Sequence, residues 1–154
     1  MTFGQSNEGA RVVELARGWI GTPYHHQAAL KGVGCDCLGL VRGVWKEFHG
    51  RDAETPPPYS PDWGQVGTRE TLIEAAERHL QRRDLKDLQP GSVIVFRMFP
   101  HAIAKHCGIV SDAGHMIHAQ EGVGVCEVAL NDNWLRRAVA GFGFVGESGA
   151  EKFI

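Results

Sequence analysis

No run of eighteen apolar residues occurs anywhere in the 154-residue chain, so no membrane-spanning helix is expected. The start, Met1-Thr2-Phe3-Gly4-Gln5-Ser6-Asn7-Glu8, has neither a basic segment nor an apolar stretch behind it, so it does not read as a secretory signal and implies synthesis in the cytoplasm. Neither sign of charge dominates. Sixteen basic and 18 acidic residues leave a net charge of −2, which gives no electrostatic case for binding nucleic acid or a membrane surface. Cysteine is scarce: Cys35, Cys37, Cys107 and Cys126 are the only four. Their spacing is not that of a zinc ribbon, and a Cys-x-Cys pair is a poor disulfide, so four free thiols made in a reducing compartment are expected. Internal repeats and low-complexity stretches are absent as well.

What remains fits a soluble globular chain, with 43% apolar and 22% charged residues, and a single domain spanning 1–154 is the simplest expectation. Residues 8–19 carry Val12, Val13, Leu15, Ala16 and Trp19 at helical spacing, and Gly21-Thr22-Pro23 closes that helix. Leu38, Val41, Val44, Trp45 and Phe48 predict a second helix, ending at His49-Gly50. Four prolines, Pro56, Pro57, Pro58 and Pro61, exclude helix from 51–67, where Tyr59 and Trp63 are expected to pin the loop to the body. A third helix is expected over 68–83, capped by Thr68 with Thr71, and Arg78, Arg82 and Arg83 read as a solvated basic end or, alternatively, as a site for a substrate carboxylate. After Pro90-Gly91 the period becomes that of strands: Ser92–Phe96, Lys105–Val110, His115–Ala119, Gly122–Val128 and Ala138–Phe144. Helices first and strands second predict an α+β fold with an antiparallel sheet.

The richest stretch is Gly34-Cys35-Asp36-Cys37-Leu38-Gly39-Leu40-Val41. A glycine-bearing loop delivers a cysteine to the first turn of a helix. There the unpaired N–H groups and the dipole favour thiolate over thiol, and the same N–H groups can receive an oxyanion. Asp36 fits the N-cap position, which makes Cys37 the first helical residue and the favoured nucleophile over Cys35. The alternative is that both are ordinary small buried residues. Tyr24, in the polar loop Tyr24-His25-His26-Gln27, either lines this site or sits in a solvated turn; His25 and His26 read as solvated.

His106 and His118 flank one predicted hairpin. A three-residue loop pairing Val110 with Gly114 would place His106 directly opposite His118, so that one imidazole orients the other and His106 serves as base toward the thiol. An even loop would put them on opposite faces. Zinc held by Cys37, His106 and His118 is a second reading, and two solvated histidines a third.

Taken together, Gly21-Thr22-Pro23-Tyr24, Gly34–Val41, Leu88-Gln89-Pro90-Gly91, His106-Cys107-Gly108-Ile109-Val110 and Ile117-His118-Ala119 resemble, in order and spacing, the motifs of NlpC/P60 cysteine peptidases. The likeness is nearest to the cell-wall peptidases encoded with tail genes of phages and gene transfer agents, and it runs from about residue 9 to 145. It implies a papain-like α+β fold, with N-terminal helices packed on a C-terminal antiparallel sheet. It also implies hydrolysis of peptide bonds in peptidoglycan stem peptides, commonly γ-D-glutamyl to diaminopimelate. By the same resemblance Cys37 is the nucleophile, His106 the base and His118 the polar third residue. Tyr24 and Asp36 fall on the oxyanion and substrate side, Asp36 in a structural role as cap. No cofactor and no metal are implied. The partners implied are the peptidoglycan peptide and phage-like tail or baseplate proteins, with the protein carried in the tail to act in the periplasm or cell wall. The sequence departs from the pattern at Leu38, where a serine is usual, at Ser92, where an acidic residue is common, and at the extra Cys35. An acyltransferase or deamidase on the same thiol, and a catalytically silent tail-tip plug, are the rival functions.

Overall fold

The computed structural model describes residues 3–54, 70–112 and 114–145, with side chains of the first helix from Glu8 onward. Helix α1 (Phe3–Arg17) buries Val12, Val13 and Ala16, and Trp19 follows in the turn after it. A short hairpin comes next, β1 (Ala29–Leu30) with β2 (Gly34–Cys35), and then α2 (Cys37–His49). Asp36 caps α2, accepting the Gly39 N–H at 2.7 Å. Gly50, at φ 79°, ends it by returning its N–H to the Lys46 carbonyl. Both ends of α2 therefore lie where the sequence places them. Leu40, Val41, Val44 and Trp45 are buried along its inner side.

The third helix is shorter than expected. Helix α3 spans Thr71–His79, and Leu80 is already extended. Residues 81–83 form an edge strand, β3 (Gln81–Arg83), that pairs antiparallel with β8 (Ala138–Gly143). Backbone pairing with the last strand overrides the helical spacing, so Arg82 and Arg83 sit on a sheet edge and only Arg78 and His79 complement a helix C-terminus. The expected Thr68 cap, and Tyr59 and Trp63 of the proline-rich loop, lie outside the described residues.

The remaining strands are β4 (Val93–Phe96), β5 (His106–Val110), β6 (His115–Gln120) and β7 (Gly124–Ala129), with a short helix α4 (Asp132–Leu135) before β8. All pairings in the six-stranded sheet are antiparallel, in the order β3-β8-β4-β5-β6-β7. The expected α+β arrangement is therefore the one observed. Val93, Val95, Cys107, Ile109, Ile117 and Ala119 belong to the core shared with α1 and α2. The alternate residues Ile94, Phe96, Val110 and Met116 form a smaller core with Trp134 of α4.

Register corrects one expectation. Val110 pairs with Met116 rather than Gly114, and Ile109 with Ile117. The strands continue through Ser111, whose N–H donates to the His115 carbonyl at 3.1 Å and whose buried hydroxyl donates to Glu127, so the turn closes later than the sequence implied. The shift is two residues, which preserves the face shared by His106 and His118 but makes their relation diagonal. His118 packs against Gly108, where an added Cβ would lie 3.3 Å from the His118 Cβ.

The start of α2 is pressed against β1. A Cβ at Gly39 would lie 1.8 Å from the Ala28 carbonyl oxygen, and that oxygen also accepts the Asp36 N–H at 3.2 Å, so it cannot easily withdraw. Gly39→Ala is expected to destabilise the fold by roughly 2 kcal/mol, because overpacking against backbone outweighs the ~1 kcal/mol gain in helix propensity. Chemical denaturation measures this, and an unchanged midpoint would contradict the packing of α2 on β1.

Candidate active site

Cys37 is the first residue of α2, where its N–H has no acceptor within the helix. The Asp36 carboxylate that caps the helix also accepts the Gln27 N–H at 2.8 Å. Asp36 is 3% exposed, and both of its oxygens are engaged with backbone, so it fixes the loop rather than offering itself to a ligand. Gln27 adopts φ 66°, an uncommon conformation for a residue with a side chain, and the bond to Asp36 helps to hold it there. A parallel bridge between Tyr24 and Cys35 draws the tyrosine alongside: the Cys35 N–H donates to the Pro23 carbonyl and the His25 N–H to the Cys35 carbonyl, each at 3.0 Å.

Strand β5 meets the start of α2 at its first residues. The Cys37 thiol lies 3.5 Å from the Lys105 carbonyl, and the Cys107 thiol donates to the Cys37 carbonyl at 3.4 Å. His106 stands between these two contacts in sequence. Its Nε2 is 2.9 Å from Nδ1 of His118. The rings are nearly perpendicular, with centroids 5.1 Å apart. A cleft of about 950 Å³, open to solvent, brings together Tyr24, Cys37, Leu38, His106 and His118, with Trp134, Lys105 and Glu121 on its walls.

The electrostatics of this group are uneven. The Cys37 thiol is held well below its ordinary value, chiefly by side-chain hydrogen bonding with Cys107 and then by hydrogen bonding and charge from His106, against the opposing effects of burial and Asp36. The Cys107 thiol is correspondingly pushed up, first by that hydrogen bond and then by burial. Burial, and then the neighbouring His106, push His118 down to about 4, so it is neutral at pH 7. With His106 as the donor, a neutral His118 accepts at Nδ1 and carries its own proton on Nε2, which is buried without a hydrogen-bond partner among the described residues. Burial and then the charge at Cys37 raise the Tyr24 phenol, which therefore keeps its proton and remains a donor.

Two contributors escaped the sequence reading. Trp134 stacks on His106 at 5.5 Å with a 24° interplanar angle and meets His118 edge-on at 5.2 Å. An indole face supports an imidazolium and excludes water from it. The signal for α4 was Asn131, whose side chain accepts the Trp134 N–H; a four-residue helix has no periodicity to read. Cys107, on the face of β5 opposite His106, meets α2 at Cys37. Among the described residues no group of three or more His, Cys, Asp or Glu side chains is arranged to hold a metal ion, and the two imidazoles are directed at each other.

A model of the NlpC/P60 family matches residues 21–142. The chain belongs to that family. No curated protein sequence gives a significant match. Among solved structures, the NlpC/P60 domain of the peptidoglycan hydrolase SagA superposes with a TM-score of 0.63 at 23% identity, covering 88% of this chain and 98% of that one. An NlpC/P60 family protein from Bacillus cereus gives 0.61 at 20% identity, covering 86% of this chain and 39% of that one. NlpC2 from Trichomonas vaginalis gives 0.66 at 18% identity, covering 89% and 46%. The chain thus spans nearly all of the SagA domain and less than half of the other two proteins. At these identities the likeness shows the NlpC/P60 fold, with helices against a six-stranded antiparallel sheet, as the motifs implied.

Proposed function

We propose that this NlpC/P60 protein is a cysteine peptidase that hydrolyses peptide bonds of peptidoglycan stem peptides, with the γ-D-glutamyl–diaminopimelate bond as its target. The observation that supports this best is the convergence of Cys37, His106 and His118 on the lining of one cleft, with the thiol depressed and the second imidazole neutral. In this reading the Cys37 sulfur attacks the scissile carbonyl carbon. The Cys37 N–H and the protonated Tyr24 phenol receive the oxyanion. The imidazolium of His106 gives its proton to the leaving amine. It then takes a proton from water, which opens the thioester and releases the acid. His118 accepts from His106 throughout and keeps the ring aimed. No cofactor enters the cycle. No described helix is long and apolar enough to cross a membrane. Delivery to the wall in a phage-like or gene-transfer-agent tail rests on the motif resemblance alone.

Digestion of defined muropeptides, with products weighed by mass spectrometry, tests the reading. The wild type is expected to release the γ-D-glutamyl acid and the diaminopimelate amine, and Cys37→Ala to release neither. Equal, residual release by both proteins would identify a silent structural plug. An amide product formed from an added amine, at the expense of the acid, would identify an acyltransferase.

A further inference from the structure

The proposed chemistry uses Cys37, His106, His118 and Tyr24 and leaves the cationic side chain of the cleft without a task. Lys105 is the only lysine or arginine among the described residues lining it. Its backbone is already part of the site, since its carbonyl is 3.5 Å from the Cys37 sulfur and the next residue is His106. Lys105 is half-buried, and its ammonium makes no ion pair among the described residues. The ammonium lies 5.7 Å from the centroid of Phe99, itself an exposed ring. A cation on the cleft wall that is paired with no described carboxylate is placed to take a ligand carboxylate as its counter-charge.

The wall that carries Lys105 is fixed before any ligand arrives. Arg97, just after β4, donates to the Ala102 carbonyl and pairs with Glu70 at 3.1 Å. The other Glu70 oxygen accepts the Ala104 N–H at 2.9 Å. Both ends of the connection bearing Phe99 and Lys105 are thus tied to one carboxylate. On the β6–β7 side the cleft carries Gln120 and Glu121, and the Glu121 charge helps to keep the Tyr24 phenol protonated. The cleft is therefore polarised, with its fixed cation at Lys105 and an exposed anion at Glu121. Leu38, next to the nucleophile, offers a substrate carboxylate nothing.

We propose that Lys105 is a specificity-determining residue that selects peptides bearing a free carboxylate beside the scissile bond over the same peptides with that carboxylate amidated. The inference rests on the peptidase reading for its substrate class. In a γ-D-glutamyl–diaminopimelate peptide the carboxylate can come from the glutamyl α-position, on the acyl side, or from diaminopimelate, on the leaving side. The chemistry that Lys105 recognises is the same for both.

Three peptides separate the sources: the free diacid, the glutamyl α-amide and the diaminopimelate amide. Their dissociation constants are measured by calorimetry on Cys37→Ala, which cannot turn them over, and their kcat/KM values on the wild type. One amide, and not the other, is expected to bind roughly five- to tenfold more weakly than the diacid, the scale of a partly exposed charge pair. The matching loss in kcat/KM should appear in KM. Lys105→Met should bind and cleave the diacid and that amide equally, Lys105→Arg should keep most of the preference, and Lys105→Glu should reverse it. The ratio is internal to each variant, so a general loss of folding or of catalysis does not imitate it. Equal binding of all three peptides by Cys37→Ala, binding of none, or a preference that survives Lys105→Met would overturn the assignment. A carboxylate preference in binding that Lys105→Met abolishes, with no wild-type cleavage of any peptide, would uphold Lys105 and overturn the peptidase reading instead.

Discussion

At pH 6, Cys37 is expected to be the only one of the four cysteines that iodoacetamide alkylates rapidly. A thiol at the ordinary pKa of about 8.5 is only ~0.3% thiolate at that pH. The Cys37 thiol is held well below that range, first by the Cys107 hydrogen bond and then by His106. A lower pKa also makes the thiolate intrinsically less nucleophilic, so the net gain in rate is smaller than the gain in thiolate, on the order of tenfold or more. The other three move the opposite way. Cys35 is fully buried and pushed up to about 12 by that burial and by Asp36 and Cys37. Cys107 is pushed up by side-chain hydrogen bonding with Cys37 and by burial, and burial raises Cys126. Peptide mapping after brief labelling from pH 5 to 9 reads this directly. Because the Cys37 value is depressed, its reactivity should persist below pH 8.5 and fall only as the pH drops through the lowered value. His106→Ala and Cys107→Val should each move that fall to higher pH, since each removes a stabiliser of the thiolate. Label on Cys35 in preference to Cys37 would sink the nucleophile assignment, and slow, even labelling of all four would point to a protein without a reactive thiol.

The Asp36–Cys37 junction was legible in the sequence because capping is local. The cap, the first helical residue and the glycine stop at Gly50 are all fixed within one turn of chain, and the structure has all three. The shared face of His106 and His118 was legible because side chains alternate along strands, so an even shift of register leaves it unchanged. The register itself was not legible, since it depends on how far pairing continues past Val110, and Ser111 extends it through a bond to Glu127 on a third strand. Residues 81–83 misled for a related reason: their partner, residues 141–143, lies some sixty positions away, and only the sheet reveals that Arg82 faces Phe142. Trp134 and Cys107 reach the site by tertiary packing, the first from the short α4 and the second from the strand face opposite His106, and neither carries a motif of its own. Lys105 was visible as a residue beside the base, but that no described carboxylate pairs with it shows only in the fold.

His106→Ala is expected to lower kcat/KM by at least ~10³-fold, because it removes the base, the acid and part of the force that ionises Cys37 in one step. His118→Asn should cost much less. The imidazolium of His106 needs an acceptor opposite its Nε2, 2.9 Å away, and a carboxamide oxygen can take that place. A loss of roughly ten- to a hundredfold fits a residue that orients another without touching substrate. The two variants should also differ in acid. Burial and His106 depress His118 from 6.5 to about 4, so between those values the unfolded chain binds a proton that the folded chain refuses. His118 therefore contributes stability that is complete above pH 6.5 and declines as the pH falls toward 4. His118→Asn, with nothing to titrate there, should flatten this part of the stability profile. Denaturant melts at pH 4, 5, 6 and 7 measure it. A His118→Asn protein as inactive as His106→Ala would place His118 in the chemistry itself, and an unchanged acid slope would mean that the buried imidazole is charged rather than neutral.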